Sequence, residues 1–267
     1  RHPADPRAWT RAGTPSRDTM KLSPMGGYFQ TSKVPVLEDR FKVIVPAAHA
    51  RGMAVLASLN LHEPGWVVVN PEWDIALANR SNQVLQAARQ IDVLNPDYQR
   101  VIGEVAQDLL RTDIDGIVVG ARGAKGFAEE WSPTSRRMFE DSFSSSSGNQ
   151  GQSVPPDAWR WAGWKTRTYL GFVTRLTQQL RQKRSGLLTA VVVHESAVLS
   201  PIDALMEYGE DVLETKQRNL HVIVLPEERS ADLSAGLEIV QQRLAPTTRD
   251  ERQLWLGVAL RASDPSS

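Results

Sequence analysis

Cysteine is absent from this chain of 267 residues, and neither sign of charge predominates, because 31 Lys and Arg balance 31 Asp and Glu. The absence of cysteine excludes disulfides, thiolate catalysis and Cys-based zinc sites. A formal net charge of zero argues against a nucleic-acid-binding surface that covers the molecule. No run approaches the ~20 apolar residues of a membrane span, so we expect no span.

Motifs that would identify a cofactor or a metal are also missing. The chain has no GxGxxG or GxxxxGK[ST] phosphate loop, no GxSxG nucleophile elbow and no HxxxH spacing. The glycine-rich, basic segment 120–126 matches none of these motifs, although backbone N–H groups in such a loop could bind an anion. We therefore predict no cofactor and no metal site.

The residues that are present favour a folded protein. Apolar residues make up 41% of the chain, which allows a sizeable core. The eight tryptophans are a high number for this length. They have two interpretations: ordinary core packing, or the walls of a groove in which flat indole faces stack on sugar rings.

Two segments lack apolar periodicity. Residues 1–24 are rich in Arg, Pro, Thr and Ser and predict an extended arm. Residues 142–153, with the sequence SFSSSSGNQGQS, predict a flexible loop. We expect one domain over residues 25–262. The first residue is Arg rather than Met, so one expectation is a processed or excised piece of a longer protein.

Helical and strand patterns alternate along this domain. Strands are predicted at 53–59, 113–119, 187–193, 220–225 and 254–260, with a sixth at 25–29. Helices are predicted at 41–51, 79–90, 95–110, 132–139, 158–183, 201–215 and 230–244. The segments 60–73 and 123–131 are predicted as loops.

This alternation predicts right-handed βαβ units and a parallel sheet, and hence an α/β fold of the TIM-like (β/α) barrel type. Five firm strands are fewer than the eight of a complete barrel. Either the barrel is incomplete at its N-terminal end, or its first units lie upstream. Asp115 stands at the start of a strand, where a structural role is expected.

Polar side chains follow the predicted strands, on the side where barrel enzymes place their chemistry. Two carboxylates that face each other there are what glycoside hydrolysis needs, and Glu63 and Glu195 are the best placed pair. Solvated loop residues are the plain alternative. The candidate substrate-binding residues are Asn60, His62, Trp66, Trp73, Arg122, Glu129, Glu130, Trp131, His194 and Glu227.

The order of several segments resembles a known family, the C-terminal glycoside-hydrolase-like domains of PgaB proteins, which process poly-β-1,6-N-acetylglucosamine during biofilm export. The segments that carry the resemblance are 28–36, 39–41, 91–96, 102–109, 114–117, 132–133, 164–167 and 220–226. The resemblance implies a (β/α) barrel with an elongated glycan groove. It also implies a periplasmic or outer-membrane-associated location and a polysaccharide partner.

One departure from the family affects the reaction. In the family the strand that begins Asp-Gly-Ile ends in His-Asp-Asp, and an acid there is associated with cleavage. Aligning Asp115-Gly116-Ile117 places Gly120, Ala121 and Arg122 at those positions. A guanidinium cannot act as a general acid at neutral pH.

Three functional hypotheses follow. The first is a glycan-binding barrel with weakened or lost hydrolytic activity, in which rim carboxylates contact amino sugars. The second is an active endo-glycosidase that cleaves a β-linked amino-sugar polymer with a displaced carboxylate pair. The third is a non-catalytic assembly module that docks other envelope export proteins or a separate N-terminal deacetylase domain.

Overall fold

The computed structural model describes residues 27–78, 85–143, 157–225, 242 and 254–256. Its strands are β1 (Leu56–Leu59), β2 (Asp74–Ala78), β3 (Leu85–Ile91), β4 (Gly116–Val119), β5 (Glu130–Trp131), β6 (Leu188–His194), β7 (His221–Leu225) and β8 (Leu254–Leu256). Its α-helices are α1 (Phe41–His49), α2 (Gly65–Val69), α3 (Pro96–Leu109), α4 (Pro133–Phe143), α5 (Ala158–Lys183), α6 (Ser196–Leu199), α7 (Pro201–Tyr208) and α8 (Val212–Gln217). Short 3₁₀ helices are formed by Pro71–Trp73 and Phe127–Glu129.

The main sheet is parallel, with the strand order β1-β4-β6-β7-β8. Strand β4 is buried at all four positions. Gly116 is required there, because a Cβ atom at this position would lie 2.6 Å from the carbonyl oxygen of Leu188 in β6. The prediction of an α/β fold with a parallel sheet is confirmed. The described residues form five parallel strands, and a complete eight-stranded barrel is not seen among them.

The polar residues that precede two of the predicted helices cap the amino-terminal ends of those helices. The Asn95 side chain accepts hydrogen bonds from the backbone N–H groups of Asp97 and Tyr98 at the start of α3. The Asp157 side chain does the same for Trp159 and Arg160 at the start of α5. These side chains satisfy N–H groups that have no partner within the helix. The prediction of a helix over 158–183 is confirmed in both bounds.

Asp115 stabilises the fold at the amino-terminal ends of β1 and β4. Its carboxylate accepts a hydrogen bond of 2.6 Å from the backbone N–H of Val55, just before β1, and lies 2.8 Å from Nε2 of His49, at the end of α1. These hydrogen bonds, the Val55 bond first, lower the pKa of Asp115 below its usual value. The structural role predicted for this residue is confirmed.

A second, antiparallel sheet with the order β3-β2-β5 was not predicted. The helix predicted over 79–90 is wrong where the structure describes it, because β3 occupies Leu85–Ile91; residues 79–84 lie outside the described ranges. Strand β2 begins in the segment that directly follows the predicted loop 60–73. Pairing between β2 and β3 overrides the local helical pattern, since sheet pairing depends on non-local partners.

Smaller corrections have local causes. The helix predicted over 201–215 divides into α7 and α8, because Gly209 adopts a φ of 72° after α7. The loop predicted over 60–73 contains α2 and a 3₁₀ helix, and the loop over 123–131 contains a 3₁₀ helix and β5. The strand predicted at 25–29 is reduced, in the part described, to one bridge between Gly27 and Val36.

Other predicted elements are only partly described. Ser142, assigned to the flexible loop, belongs to α4 and donates a hydrogen bond to the carbonyl of Met138. The rest of that loop from residue 144 onward and the arm at 1–24 lie outside the described residues. Of the helix predicted at 230–244 the structure describes residue 242 alone, which is helical.

Candidate functional site

A small cavity lies at the carboxyl-terminal ends of the central parallel strands. Its volume is about 30 Å³, and its polar walls include His62, Arg122, Tyr169, Glu210 and Asp211. His62 follows β1, Arg122 follows β4 and Glu210 follows α7. A cavity of this size holds about two water molecules and is too small for a sugar ring.

Arg122 closes one side of the cavity, and its hydrogen bonds are made to protein groups. Its Nε donates to the carbonyl of Ala124 at 2.7 Å, and its guanidinium also donates to the side chain of Gln90 at 2.7 Å. The same guanidinium forms an ion pair with the carboxylate of Glu130, the first residue of β5. Burial lowers the pKa of Arg122 to about 10. Arg122 therefore stays charged near neutral pH and ties the loop after β4 to the second sheet.

The buried amine of Lys165 lies on the other side of Glu130. The ammonium of Lys165, in α5, donates to the carbonyl of Phe127 and lies 3.8 Å from Oε2 of Glu130. Its side chain is 4% exposed, and burial, followed by the charge of Arg122, lowers the pKa of Lys165 well below its usual value. Glu130 is thus buried between the Arg122 guanidinium, with which it forms an ion pair, and the Lys165 amine, and it is not exposed to a ligand.

Asp92 is a second buried carboxylate close to Glu130. It accepts hydrogen bonds from the hydroxyls of Ser132 and Ser135 and from the backbone N–H of Leu94. Ser132 also caps the first turn of α4, because its Oγ accepts from the backbone N–H of Ser135. Asp92 therefore fixes the connection between β3 and α4.

His62 and Tyr169 form the less charged wall of the cavity. Their ring centroids lie 6.2 Å apart. Burial, with a smaller contribution from the charge of Arg122, lowers the pKa of His62 to about 3. Burial is also the main cause that raises the pKa of Tyr169. Near neutral pH the cavity is therefore lined by a neutral imidazole and a protonated phenol, which can donate and accept hydrogen bonds.

Glu210 holds His194 at the end of β6. One carboxylate oxygen of Glu210 accepts from the backbone N–H of His194 at 2.9 Å, and the other lies 2.8 Å from its Nδ1. The imidazole also stacks on the ring of Tyr208, with centroids 4.0 Å apart. Glu210 is 9% exposed and lines the cavity. A carboxylate that orients a histidine in this way resembles the base-orienting pairs of hydrolases.

The predicted catalytic pair is not brought together at this cavity. Glu63 accepts from the Asn60 side chain at 3.4 Å and from the backbone N–H of Gly65 at 3.3 Å, so it organises its own loop. Glu195 is 7% exposed and directly precedes α6, and its backbone N–H donates to the carbonyl of Leu225. Neither residue is among those that line the cavity.

The remaining predicted binding residues lie in different places. Glu129 is half-buried at the end of a 3₁₀ helix, and Glu227 lies outside the described residues. Trp66 and Trp73 are buried, with ring centroids 6.1 Å apart, and both pack on Tyr98. Trp131 is buried and stacks on Trp161 at 5.1 Å. The structure thus places all three tryptophans in the core, where other aromatic rings cover them.

Sequence reasoning identified His62, Arg122, Glu130 and His194 but missed their partners. Glu210 and Tyr169 were not candidates, and neither was Lys165. Glu210 could have been noticed because it follows Gly209. A glycine at this place in the sequence commonly ends a helix, and the residue after it then lies at a turn of the chain. Lys165 and Tyr169 occupy a long amphipathic helix, where polar residues on the inner face were the available signal.

The charged groups around the cavity are one paired cation and two carboxylates. The cation is Arg122, which follows β4 and is already paired with Glu130. The carboxylates are those of Glu210 and Asp211.

Among the described residues no group of three or more His, Asp or Glu could hold a metal ion. No helix in the described ranges is long and apolar enough to cross a membrane.

Comparisons with known proteins establish the fold. Neither the protein-family models nor the curated proteins contain a match. Among solved structures, the chain is similar to the PgaB (BpsB) glycoside hydrolase domain from Bordetella bronchiseptica, with a TM-score of 0.65 and 19% sequence identity. The match covers 86% of this chain and 67% of that chain. The fold is therefore like that of a glycoside hydrolase domain.

Proposed function

We propose that this chain is a glycoside-hydrolase-like barrel domain that binds a β-linked amino-sugar polymer of the poly-N-acetylglucosamine type, with weakened or lost hydrolytic activity. The observation that carries this proposal is the ion pair between Arg122 and Glu130 at the end of β4. In the family that the sequence resembles, this strand end carries an acid associated with cleavage.

The loss of activity follows from what the two residues can do. Glycoside hydrolysis needs one carboxyl group that donates a proton and a second that acts as nucleophile or base. A guanidinium does neither at neutral pH. Glu130, eight residues along, is buried between Arg122 and Lys165, and its carboxylate is committed to the ion pair with Arg122.

The binding role rests on the polar groups that remain around the strand ends. Asn60 and Glu63 lie in an exposed loop after β1, and His62 and Glu210 line the cavity. Amide, imidazole and carboxylate groups form hydrogen bonds with sugar hydroxyls, and a carboxylate also binds the ammonium of a deacetylated sugar. The polymer would lie across this surface, because the cavity itself is too small for a sugar ring.

An active endo-glycosidase is the second candidate, and Glu210 is the observation in its favour. This carboxylate lines the cavity and orients His194, an arrangement suited to proton transfer. In that case Glu210, together with Glu63 or Glu195, would replace the acid that is missing after β4.

One experiment separates the two candidates. The protein is incubated with partially deacetylated poly-N-acetylglucosamine, and both polymer binding by affinity electrophoresis and release of new reducing ends are measured. We expect binding without release, and we expect Glu63→Gln and His62→Ala to weaken binding. The matched control is Asp113→Asn, an exposed acid before β4.

Each other result has a clear reading. Release that is abolished by Glu63→Gln, Glu195→Gln or Glu210→Gln would establish the active enzyme and overturn the loss of activity. Absence of both binding and release would overturn both candidates. Co-purification of an envelope protein in that last case would favour the assembly module.

A further inference from the structure

A groove of about 410 Å³ lies between helices α3 and α5. Ligand-binding clefts in proteins commonly have volumes of about 300 to about 1,000 Å³, so this groove is large enough for a small ligand. The cavity at the strand ends, with about 30 Å³, is not, and the two places share no lining residue. The groove is therefore a separate place at which a ligand can bind.

The α3 side of the groove carries two amides with a glycine between them. Gln99, Gly103 and Gln107 recur every four residues, so they lie on one side of the helix. Gln99 donates from Nε2 to the carbonyl of Val93 at 2.9 Å, which leaves its Oε1 as an acceptor. Gln107 accepts from Lys183 at 2.6 Å, which leaves its amide N–H groups as donors. This side therefore offers both halves of the hydrogen bonding that an amide ligand needs.

Gly103 keeps this side of the groove open. A Cβ atom at this position would have nothing within 4 Å, so the packing of the described residues does not require a glycine. A glycine inside a helix is nevertheless less favourable than an alanine. Helix α3 thus contains a destabilising residue whose effect on the surface is to leave the groove unfilled.

The α5 side supplies an apolar floor. Phe172 and Leu176 line the groove and are 5% and 3% exposed. Gln179, about one turn further along the helix, adds an exposed amide. An apolar floor beside amides suits a sugar that carries an acetamido group. Its methyl group can contact the floor while its N–H and C=O groups form hydrogen bonds.

The charges of the groove disfavour a positively charged ligand. The lining includes two guanidinium groups, Arg100 and Arg175, and one carboxylate, Glu104. Glu104 already pairs with Arg100 at 3.3 Å and with Lys33. The ammonium group of a deacetylated amino sugar would therefore meet two cations and a carboxylate that is already engaged. A strongly anionic ligand would in turn lie against Glu104, so an uncharged ligand fits best.

We propose that the groove between α3 and α5 is a second glycan-binding site, which selects N-acetylated sugar units. This inference rests on the proposed function, because it takes its ligand from the same amino-sugar polymer. The strand-end surface, in contrast, offers the carboxylates of Glu63 and Glu210, which suit a deacetylated unit. The two sites then bind differently substituted parts of one partially deacetylated chain.

The test is isothermal titration calorimetry of the whole chain with a short β-1,6-linked N-acetylglucosamine oligosaccharide and with its deacetylated counterpart. Gly103 is replaced by Ala, Leu and Trp, a series that fills the groove step by step. We expect affinity for the acetylated oligosaccharide to fall along this series, by at least about tenfold for Gly103→Trp, because the indole takes the place of the sugar. Thermal unfolding should show no loss of stability, since the position is open and the glycine is unfavourable in a helix.

Two further variants keep the test independent of the glycine. Gly163→Trp adds the same bulk to α5 outside the groove, where only the flexible end of Arg167 lies near, and should leave the affinity unchanged. Gln179→Leu removes an exposed amide from the groove and should weaken binding of the acetylated oligosaccharide more than binding of the deacetylated one.

The outcomes separate this inference from the proposed function. If wild type binds the polymer and Gly103→Trp leaves the affinity for the acetylated oligosaccharide unchanged, the second site is overturned and the proposed function stands. A larger loss for the deacetylated oligosaccharide in Gly103→Trp overturns the selectivity. Binding that Gly103→Trp abolishes, and that Glu63→Gln and His62→Ala do not affect, supports the groove and overturns the strand-end surface. Absence of all binding overturns both.

Discussion

Arg122 and Glu130 form an ion pair in which both side chains are almost fully buried, with exposed fractions of 5% and 7%. The two residues belong to different parts of the fold, since Arg122 follows β4, an interior strand of the main sheet, and Glu130 begins β5 of the second sheet. Together they fix the path of the chain between the sheets. The loop after β4, where a barrel enzyme would hold a catalytic acid, instead contains an ion pair that stabilises the fold.

The buried ion pair predicts that removing Arg122 alone destabilises the protein more than removing Arg122 and Glu130 together. Arg122→Met should lower the free energy of unfolding by about 3 kcal/mol, because it leaves the Glu130 carboxylate buried beside Lys165 alone. Glu130→Leu combined with Arg122→Met should lower it by less than Arg122→Met does, since no unpaired carboxylate remains. Urea unfolding of wild type, the Arg122→Met and Glu130→Leu single variants and the double variant measures both effects. Simple additivity of the two single changes would contradict the buried pair.

His62 should remain neutral over the physiological range. Its pKa is lowered to about 3, mainly by burial, whereas an unfolded histidine titrates near about 6.5. The Hε1 resonance of His62 should therefore not shift between about pH 7 and pH 5, while the same residue in urea should titrate normally. A midpoint near 6.5 in the folded protein would show that the cavity is open to solvent.

The same pKa has a consequence for stability. Between about 6.5 and about 3 the unfolded chain binds a proton at His62 and the folded chain does not, so stability falls as the pH drops through this window. His62→Gln should remove this contribution and flatten the dependence of the urea midpoint on pH.

Asp115 should contribute stability with its own pH range. Its folded pKa lies below the usual 3.8, because Val55 and His49 hydrogen-bond the carboxylate. The contribution is therefore complete above the unfolded pKa and is lost as the pH falls through the folded pKa. Asp115→Asn should unfold more readily than wild type near pH 6, and the difference should shrink near pH 3. A difference that is equal at both values would exclude a role for the charge.

Gly209 should tolerate no side chain. It combines a φ of 72° with close contact, because a Cβ atom there would lie 2.5 Å from the ring of Phe127. Gly186 has a similar φ of 82° but nothing within 4 Å of the same position. Gly186→Ala should therefore lower the unfolding free energy by about 1 kcal/mol through backbone strain alone. Gly209→Ala should lower it by at least about 1 kcal/mol more, which denaturant unfolding measures.

The parallel sheet and its long helices could be predicted because their signals are local. Asn95 and Asp157 cap the helices that they precede in the sequence, and buried strands such as β4 are short apolar runs. The second sheet could not be predicted in this way. Residue Trp131 pairs with Ala76, far away along the chain, and nothing near either residue indicates the other.

The candidate site also consists of residues with a local sequence signal and partners without one. Its strand-end members, such as His62 and Arg122, could be located because polar residues directly follow buried strands. The partners that decide their chemistry come from elsewhere: Gln90 and Glu130 bind Arg122, and Glu210 binds His194. Which carboxylate pairs with which cation depends on the packing of elements, and residue type alone does not encode it.

The parallel register of the main sheet also bears on how the chain folds. Leu56 pairs with Gly116, and Gly116 pairs with Leu188, so adjacent strands are joined by long stretches of sequence. The entropy of closing these stretches is lost before the contacts across β4 form. Chains dominated by such distant pairings fold slowly, and their apolar strands stay exposed until folding is complete. Strand β4, an interior strand of the native sheet, is therefore also a segment that needs protection from aggregation during synthesis.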